Sequence, residues 1–247
     1  MYIYVSADAK WSPGGATRVW LYHALRDFAG ALDGARLLHL SGITPALGPD
    51  GVALAKKAVA AASAAGVPIC FDGNYRASLW DAWDCNPQAI LTELVEAATI
   101  LIGNHRDISL LLGKSFSGDG PDRRREAAEA AFARFPDLAA IASTARHIES
   151  STTHGLAARV DLRESHWQTE EVRIAPVVDR IGTGDAFAAG VLLRWLEEQC
   201  HHLGGFWLTG ATGGLGLACF GTHGPAHQLA ELVALYEHCR TTLPEES

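Results

Sequence analysis

The stretch VDRIGTGDAFAAG, at residues 178–190, is the most informative part of the chain. Two glycines flank Thr183, Asp185 follows at once, and a run of small and apolar residues predicts a helix over 183–199. Such a helix start directs several backbone N–H groups and the positive end of the helix dipole at one point. With a carboxylate beside it, this arrangement suits phosphoryl transfer to a hydroxyl. A tightly packed turn capped by Asp185 is the alternative interpretation.

Before this turn the chain alternates between segments typical of strands and of helices. Strands are predicted at 36–41, 67–72, 99–103 and 138–143, helices at 49–65, 87–98, 104–112 and 122–134, and an antiparallel pair at 155–162 and 167–174. After the turn, further helices are predicted at about 205–219 and 226–240. Strands separated by helices of this length predict parallel βαβ units, and therefore an α/β fold. The first 35 residues show no clear opening strand.

Composition and charge exclude several classes of function. The 247 residues, 48% of them hydrophobic, suffice for a large core, and the net charge of −8 argues against a nucleic-acid partner. Five cysteines without a C-x-x-C pair argue against zinc or disulfides and favour a reducing, cytoplasmic location. No signal peptide and no long uninterrupted apolar run is present, so we expect no membrane segment.

The segment FDGNYR (71–76) follows a predicted buried strand, at the place where open α/β sheets bind their ligands. Asn74 and Arg76 stand at alternate positions, and a guanidinium is suited to a carboxylate or a phosphate. The alternative is a plain turn, in which Asp72 and Asn74 bond the local backbone and Arg76 pairs with a surface acid.

Three other segments are candidates for a site. Asn104 and Asp107, at a predicted helix start, could organise Mg²⁺ through water or could simply cap the helix. Thr144 and Arg146, beyond a predicted strand end, could face nucleotide phosphates or be ordinary loop residues. The glycine-rich segment 210–216 (GATGGLG) could form a flat wall for a planar ring or allow close helix packing.

Four of these segments resemble motifs of one family. DRIGTGD (179–185) resembles the signature D-T-x-G-A-G-D of the ribokinase/phosphofructokinase-B sugar kinases. FDGNYRASLW (71–80) resembles the D-x-N-y-R segment of that family's 2-keto-3-deoxygluconate kinases, to which LLHLSGITPAL (37–47) and STARHIESSTTHG (143–155) are also similar. The resemblance covers about residues 18–240. It implies a ribokinase-like three-layer α/β/α fold with a mostly parallel central sheet and a truncated β lid.

The resemblance also implies the roles of individual residues. Asp185 would be the base that takes the proton from the sugar hydroxyl, and Asn74 with Arg76 would hold the sugar acid. Asp179 would help a monovalent cation such as K⁺ to order the turn. The anion hole for the γ-phosphate would be formed by Gly182, Thr183 and Gly184.

The same resemblance implies where ATP and Mg²⁺ bind. Asn104 and Asp107 match the family's N-x-x-E magnesium motif, with Asp in place of Glu. Because magnesium keeps much of its hydration shell, the ion would be held through water. The residues expected along ATP are Thr144, Arg146, Thr212, Gly213 and Gly216.

The implied function is the ATP-dependent phosphorylation of a small sugar acid, 2-keto-3-deoxygluconate, to its 6-phosphate. The family's N-terminal sugar-binding motif G-G-x-x-x-N is not reproduced after Gly14-Gly15, where ATRV follows. We therefore expect residues 1–35 to be a remnant of the lid and its return segment, and 36–247 to be the catalytic domain. A kinase for another sugar or nucleoside and a non-catalytic nucleotide-binding remnant are the alternatives. Because the lid is the family's usual dimer surface, a homo-oligomer is left open.

Overall fold

A computed structural model of the chain describes residues 3–5, 32–175, 177 and 183–198. The chain divides into two compact units, Met1–Ile141 and Ala142–Ser247. No helix in the described ranges is long and apolar enough to cross a bilayer.

The first unit contains a parallel sheet. Its strands are β1 (Ile3–Val5), β2 (Leu38–Ser41), β3 (Ile69–Asp72) and β4 (Ile100–Ile102), paired in that order. Every residue of β2, β3 and β4 is buried, as expected for parallel strands covered on both faces. The prediction that the first 35 residues hold no clear opening strand was wrong, because β1 pairs in parallel with β2.

In the described part of this unit, six helices accompany the sheet. They are α1 (Ile43–Ala46), α2 (Pro49–Ala64), α3 (Ala77–Trp80), α4 (Pro87–Val95), α5 (His105–Leu112) and α6 (Gly120–Arg134). Prolines in the first turn of α2, α4 and α6 fit the one place where a helix tolerates them. The core between helices and sheet is formed by side chains such as Leu40, Phe71, Leu94, Leu101 and Phe132.

The second unit combines antiparallel strands with a long helix. Strand β5 (Ala140–Ile148) begins in the last two residues of the first unit, and β6 (His154–Leu162) pairs antiparallel with both β7 (His166–Gln168) and β8 (Val172–Ile174). Helix α7 (Thr183–Glu198) follows. On β6 the buried Arg159 donates two hydrogen bonds of 2.7 Å to the buried carboxylate of Asp161.

Two predictions for this unit need correction. The strand expected at 138–143 continues to Ile148, so Thr144 and Arg146 lie within β5 and not in a loop after it. A hairpin explains the extension, since the amides of Glu149 and Ser150 donate to the Thr153 carbonyl at the turn into β6.

The second correction concerns the strand expected at 167–174, which is divided into β7 and β8. At the break, the hydroxyl of Thr169 accepts the hydrogen bond of the Ala158 amide, in the place of a backbone carbonyl. The regular ladder of β6 is therefore interrupted there. The helices predicted at about 205–219 and 226–240 lie outside the described residues.

Candidate active site

The carboxyl ends of three parallel strands of the first unit are joined at one edge. The amide of Gly42, which follows β2, donates a 2.7 Å hydrogen bond to the carbonyl of Asp72 at the end of β3. The amide of Gly73 donates in turn to the carbonyl of Ile102 at the end of β4, at 2.9 Å. Ligands of open α/β sheets bind beyond such strand ends. This edge is therefore where we expect a binding site in the first unit.

Two glycines allow this edge to close. A Cβ atom on Gly42 would collide with the carbonyl oxygen of Gly73, and a Cβ on Gly73 would lie 2.8 Å from Oδ1 of Asp107. The three loops thus approach one another with no room for side chains between them. The carboxylate of Asp107, although it belongs to α5, is brought against the end of β3.

The turn after β3 carries Asn74 and Arg76. Among the described residues, Asn74 is the one non-glycine with a left-handed backbone, at φ 36°, and Asn tolerates this region better than most residues. The side chain of Arg76 is exposed, and its Nη1 donates a long hydrogen bond of 3.4 Å to the carbonyl of Tyr75. The guanidinium can therefore accept an anion without first leaving a buried pair.

Asn104 and Asp107 form a capping box at the start of α5. Oδ1 of Asn104 accepts from the Arg106 amide, and Oδ2 of Asp107 accepts from the Asn104 amide, both at 2.8 Å. Burial raises the pKa of Asp107 above its ordinary value; the Asn104 amide and, more weakly, the positive charge of Arg76 oppose the rise. Asn104 and Asp107 therefore cap the start of α5, as the alternative interpretation expected. Arg76 and Asp107 also lie close enough for their charges to interact.

The fit of Mg²⁺ to these two residues is limited to contact through water. In the described part of the chain, no three His, Cys, Asp or Glu side chains are grouped as direct metal ligands. Magnesium commonly keeps several waters and binds through one or two carboxylates plus phosphate. Oδ1 of Asp107, at the edge formed by Gly73, can receive such a water while Oδ2 caps the helix. A nearby cation would also favour the ionised form of this buried carboxyl group.

In the second unit, Thr144 and Arg146 lie two residues apart on β5 and are both exposed. Residues at this spacing on a strand project from the same face. The two side chains can therefore contact one ligand together.

Thr183, Gly184 and Asp185 form the first turn of α7, a helix of 16 residues. The first N–H groups of a helix lack partners within it, and the dipole is positive there. Asp185 is half-buried in this turn, and open space lies where a Cβ of Gly184 would be. This part of the predicted turn has the elements of an anion site beside a carboxylate. The other predicted site residues, Asp179, Gly182, Thr212, Gly213 and Gly216, lie outside the described residues.

The contribution of the end of β2 was not predicted. This strand ends at Ser41, at the edge where Asp72 ends β3, and the amide of Gly42, the next residue, makes the hydrogen bond that joins the two. The sequence did contain a signal for this loop. A buried strand ends at Ser41 and a glycine follows it, and residues 71–76 were chosen because they follow a buried strand in the same way.

Comparisons with known proteins agree with this architecture. The family profile described as pfkB family carbohydrate kinase matches residues 14–204. The structure of 2-dehydro-3-deoxygluconokinase from Thermotoga maritima superposes with a TM-score of 0.72 at 28% identity, over 85% of this chain and 63% of that one. The ribokinase-like α/β fold expected from the sequence is thereby confirmed.

The relatives found by sequence include two kinases of dehydro-deoxy sugar acids. A 5-dehydro-2-deoxygluconokinase from Shouchella clausii is 29% identical over 169 residues, and a 2-dehydro-3-deoxygalactonokinase from Haloferax volcanii is 28% identical over 168 residues. Each match covers 68% of this chain and 47% of the relative, so the chain spans about half the length of these proteins. The resemblance noted in the sequence is confirmed, and because the profile covers more than half of its residues, the chain belongs to the pfkB family of carbohydrate kinases.

Proposed function

We propose that the protein transfers the γ-phosphoryl group of ATP to a small sugar acid, 2-keto-3-deoxygluconate, and forms its 6-phosphate. The observation that carries the proposal is the exposed guanidinium of Arg76, presented with Asn74 beyond the carboxyl end of β3. A guanidinium binds a carboxylate through two parallel hydrogen bonds, whereas a neutral ribose has no use for its charge. The names of the relatives, dehydro-deoxygluconokinase and dehydro-deoxygalactonokinase, support an acidic sugar.

In the proposed reaction, Asp185 accepts the proton of the sugar's primary hydroxyl. The hydroxyl oxygen forms a bond to the γ-phosphorus as the bond from that phosphorus to the β-phosphate oxygen breaks, and ADP leaves. Backbone N–H groups of Gly182, Thr183 and Gly184 stabilise the charge that develops on the phosphoryl oxygens. Base and anion hole thus come from one helix start, which fixes the carboxylate relative to the phosphate.

The remaining predicted residues complete the proposal. When bound with ATP, Mg²⁺ would neutralise phosphate charge, and Asn104 and Asp107 would hold its water shell. Asp179 would help a monovalent cation such as K⁺ to order the turn. The residues proposed along ATP are Thr144, Arg146, Thr212, Gly213 and Gly216.

A coupled assay of ADP release tests the proposal. The protein is given ATP, Mg²⁺ and one acceptor at a time: 2-keto-3-deoxygluconate, 2-keto-3-deoxygalactonate, 5-keto-2-deoxygluconate, fructose, ribose or adenosine. We expect the highest kcat/KM with 2-keto-3-deoxygluconate, and product identification should place the phosphate on O6. A higher kcat/KM with ribose, fructose or adenosine would contradict the proposal and support a kinase for a neutral sugar or a nucleoside. ATP binding without turnover of any acceptor would support a non-catalytic protein.

A further inference from the structure

We propose that three stacked aromatic side chains, Tyr75, Trp80 and Trp83, position the turn that carries Asn74 and Arg76 and so set the affinity for the acidic sugar. The part of this inference that concerns the ligand rests on the proposed function. We refer to the three side chains as the aromatic stack. Its members are positioning residues and do not themselves contact the reacting atoms.

The stack is continuous, and its central ring is removed from water. The rings of Tyr75 and Trp80 have centroids 6.5 Å apart and planes 12° from parallel, and those of Trp80 and Trp83 are 6.2 Å and 25° apart. The central ring, Trp80, is 2% exposed. Aromatic pairs at such separations stabilise each other beyond the burial of their area. Tyr75, which stands between Asn74 and Arg76 in the chain, is thus held by its ring.

The far end of the stack is anchored to a different loop. Nε1 of Trp83 donates a 3.1 Å hydrogen bond to the carbonyl of Ala46, the last residue of α1. Ala46 is itself buried, and α1 follows β2 almost directly. The stack therefore links the turn after β3 to the helix after β2, two elements that begin at neighbouring strand ends.

The turn needs such support because its backbone is unfavourable. The left-handed conformation of Asn74, although Asn tolerates it better than most residues do, is less favourable than an extended or helical one and is stabilised by its surroundings. Helix α3, which follows, has four residues, too few to be stable alone. Its Leu79 and Trp80 amides donate to the carbonyl of Arg76, at 3.0 and 3.4 Å. Fixing Trp80 therefore also fixes the backbone of Arg76.

The chemistry of Trp80 points to a role for the ring face. Within the described part of the chain, its buried Nε1–H has no hydrogen-bond partner. Within the stack, the indole of Trp80 is nearly parallel to the rings of Tyr75 and Trp83, so the ring and not its polar group links them.

Substitutions of Trp83 test the inference, because this ring is only half-buried and can change without unfolding the core. Trp83→Phe keeps a ring in the stack and removes the hydrogen bond to Ala46, whereas Trp83→Leu removes both. Trp167→Phe, at a half-buried indole on β7 in the second unit, is the matched control. Hydrogen exchange of the ligand-free protein and steady-state kinetics with 2-keto-3-deoxygluconate and ATP are measured for each variant.

In the ligand-free protein, we expect the Leu79 and Trp80 amides to exchange about fivefold faster in Trp83→Phe and more than about tenfold faster in Trp83→Leu. KM for the sugar acid should rise in the same order, with KM for ATP within about twofold of the wild type. Unchanged exchange at 79–80 in Trp83→Leu, or an equal rise in both KM values, would overturn the inference. Faster exchange in a protein that does not phosphorylate any sugar acid would retain the positioning role and reject the proposed function.

Discussion

At the scale of single residues, we expect Arg76 to favour an acidic over a neutral acceptor. Arg76→Ala should raise KM for 2-keto-3-deoxygluconate about 10- to 100-fold, the usual range for loss of a hydrogen bond to a charged group, and leave KM for ATP unchanged. Arg76→Lys should lie between the two, because an ammonium keeps the charge but cannot form the paired hydrogen bonds.

Steady-state kinetics with each substrate varied in turn provide the measurement for Arg76. A parallel rise of both KM values would mean that the guanidinium acts on the fold or on the nucleotide. A lysine variant as impaired as the alanine variant would indicate that geometry, and not charge, is what the site requires.

The buried pair of Arg159 and Asp161 is a second test at this scale. Both side chains are nearly inaccessible, so removal of one partner leaves the other charge buried without its counterion. Arg159→Met should lower the free energy of unfolding by about 3–5 kcal/mol, measured by urea denaturation. Arg173→Met, which breaks the exposed pair with Glu149, should cost no more than about 1 kcal/mol. Equal losses in the two variants would contradict this assignment.

At the scale of elements, the start of α5 combines a helix cap with a proposed metal contact. Asp107→Asn separates them, because an amide oxygen can still accept the hydrogen bond of the Asn104 amide while the charge is lost. We expect a change in unfolding free energy below about 1 kcal/mol but a rise of about tenfold in the Mg²⁺ concentration needed for half-maximal activity. If the Mg²⁺ requirement does not change, Asp107 serves only as a cap.

The same substitution should change how the stability of the folded protein depends on pH. Burial raises the pKa of Asp107 in the folded protein, so the folded state binds this proton more tightly than the unfolded state. Stability therefore falls as the pH rises from the ordinary pKa of 3.8 through the raised value. Asp107→Asn should flatten this part of the stability profile. A profile identical to that of the wild type would contradict the direction of the shift.

The sequence predicted the longer elements well because each has a strong local signal. Helices α2, α5 and α6 were expected within two residues of their observed ends, and α5 ends at Gly113, whose positive φ of 61° suits glycine. The one-turn helices α1 and α3 were not predicted. They depend on contacts distant in sequence, such as the hydrogen bond from Trp83 to Ala46, which no local pattern reveals.

The candidate site could be predicted in part for a similar reason. Parallel strands end at a common edge, so the grouping of Arg76 with Asp107 follows from strand-end positions alone. The capping box was recognised as an alternative from the spacing of Asn104 and Asp107, but spacing could not choose between capping and a metal. The approach of Asp107 to Gly73 and the aromatic stack required three-dimensional packing, for which the sequence offers no periodic signal.

At the scale of the whole molecule, the proposed function draws on both units. The residues proposed for the sugar acid and Mg²⁺ belong to Met1–Ile141, and the proposed base, with the described part of the anion hole, belongs to Ala142–Ser247. Substitutions in the two units should therefore change different kinetic quantities. Those in the first unit should change KM for the sugar acid or the Mg²⁺ requirement, and loss of the base should lower kcat.

The central claim, that Asp185 is the base of a sugar-acid kinase, is tested most directly by the rate of phosphoryl transfer in Asp185→Asn. With saturating ATP, Mg²⁺ and 2-keto-3-deoxygluconate, we predict that kcat falls about 10²–10⁴-fold, while the Kd for ATP measured by calorimetry stays within about twofold. Normal turnover in this variant would contradict the account, because the proton would then have another acceptor.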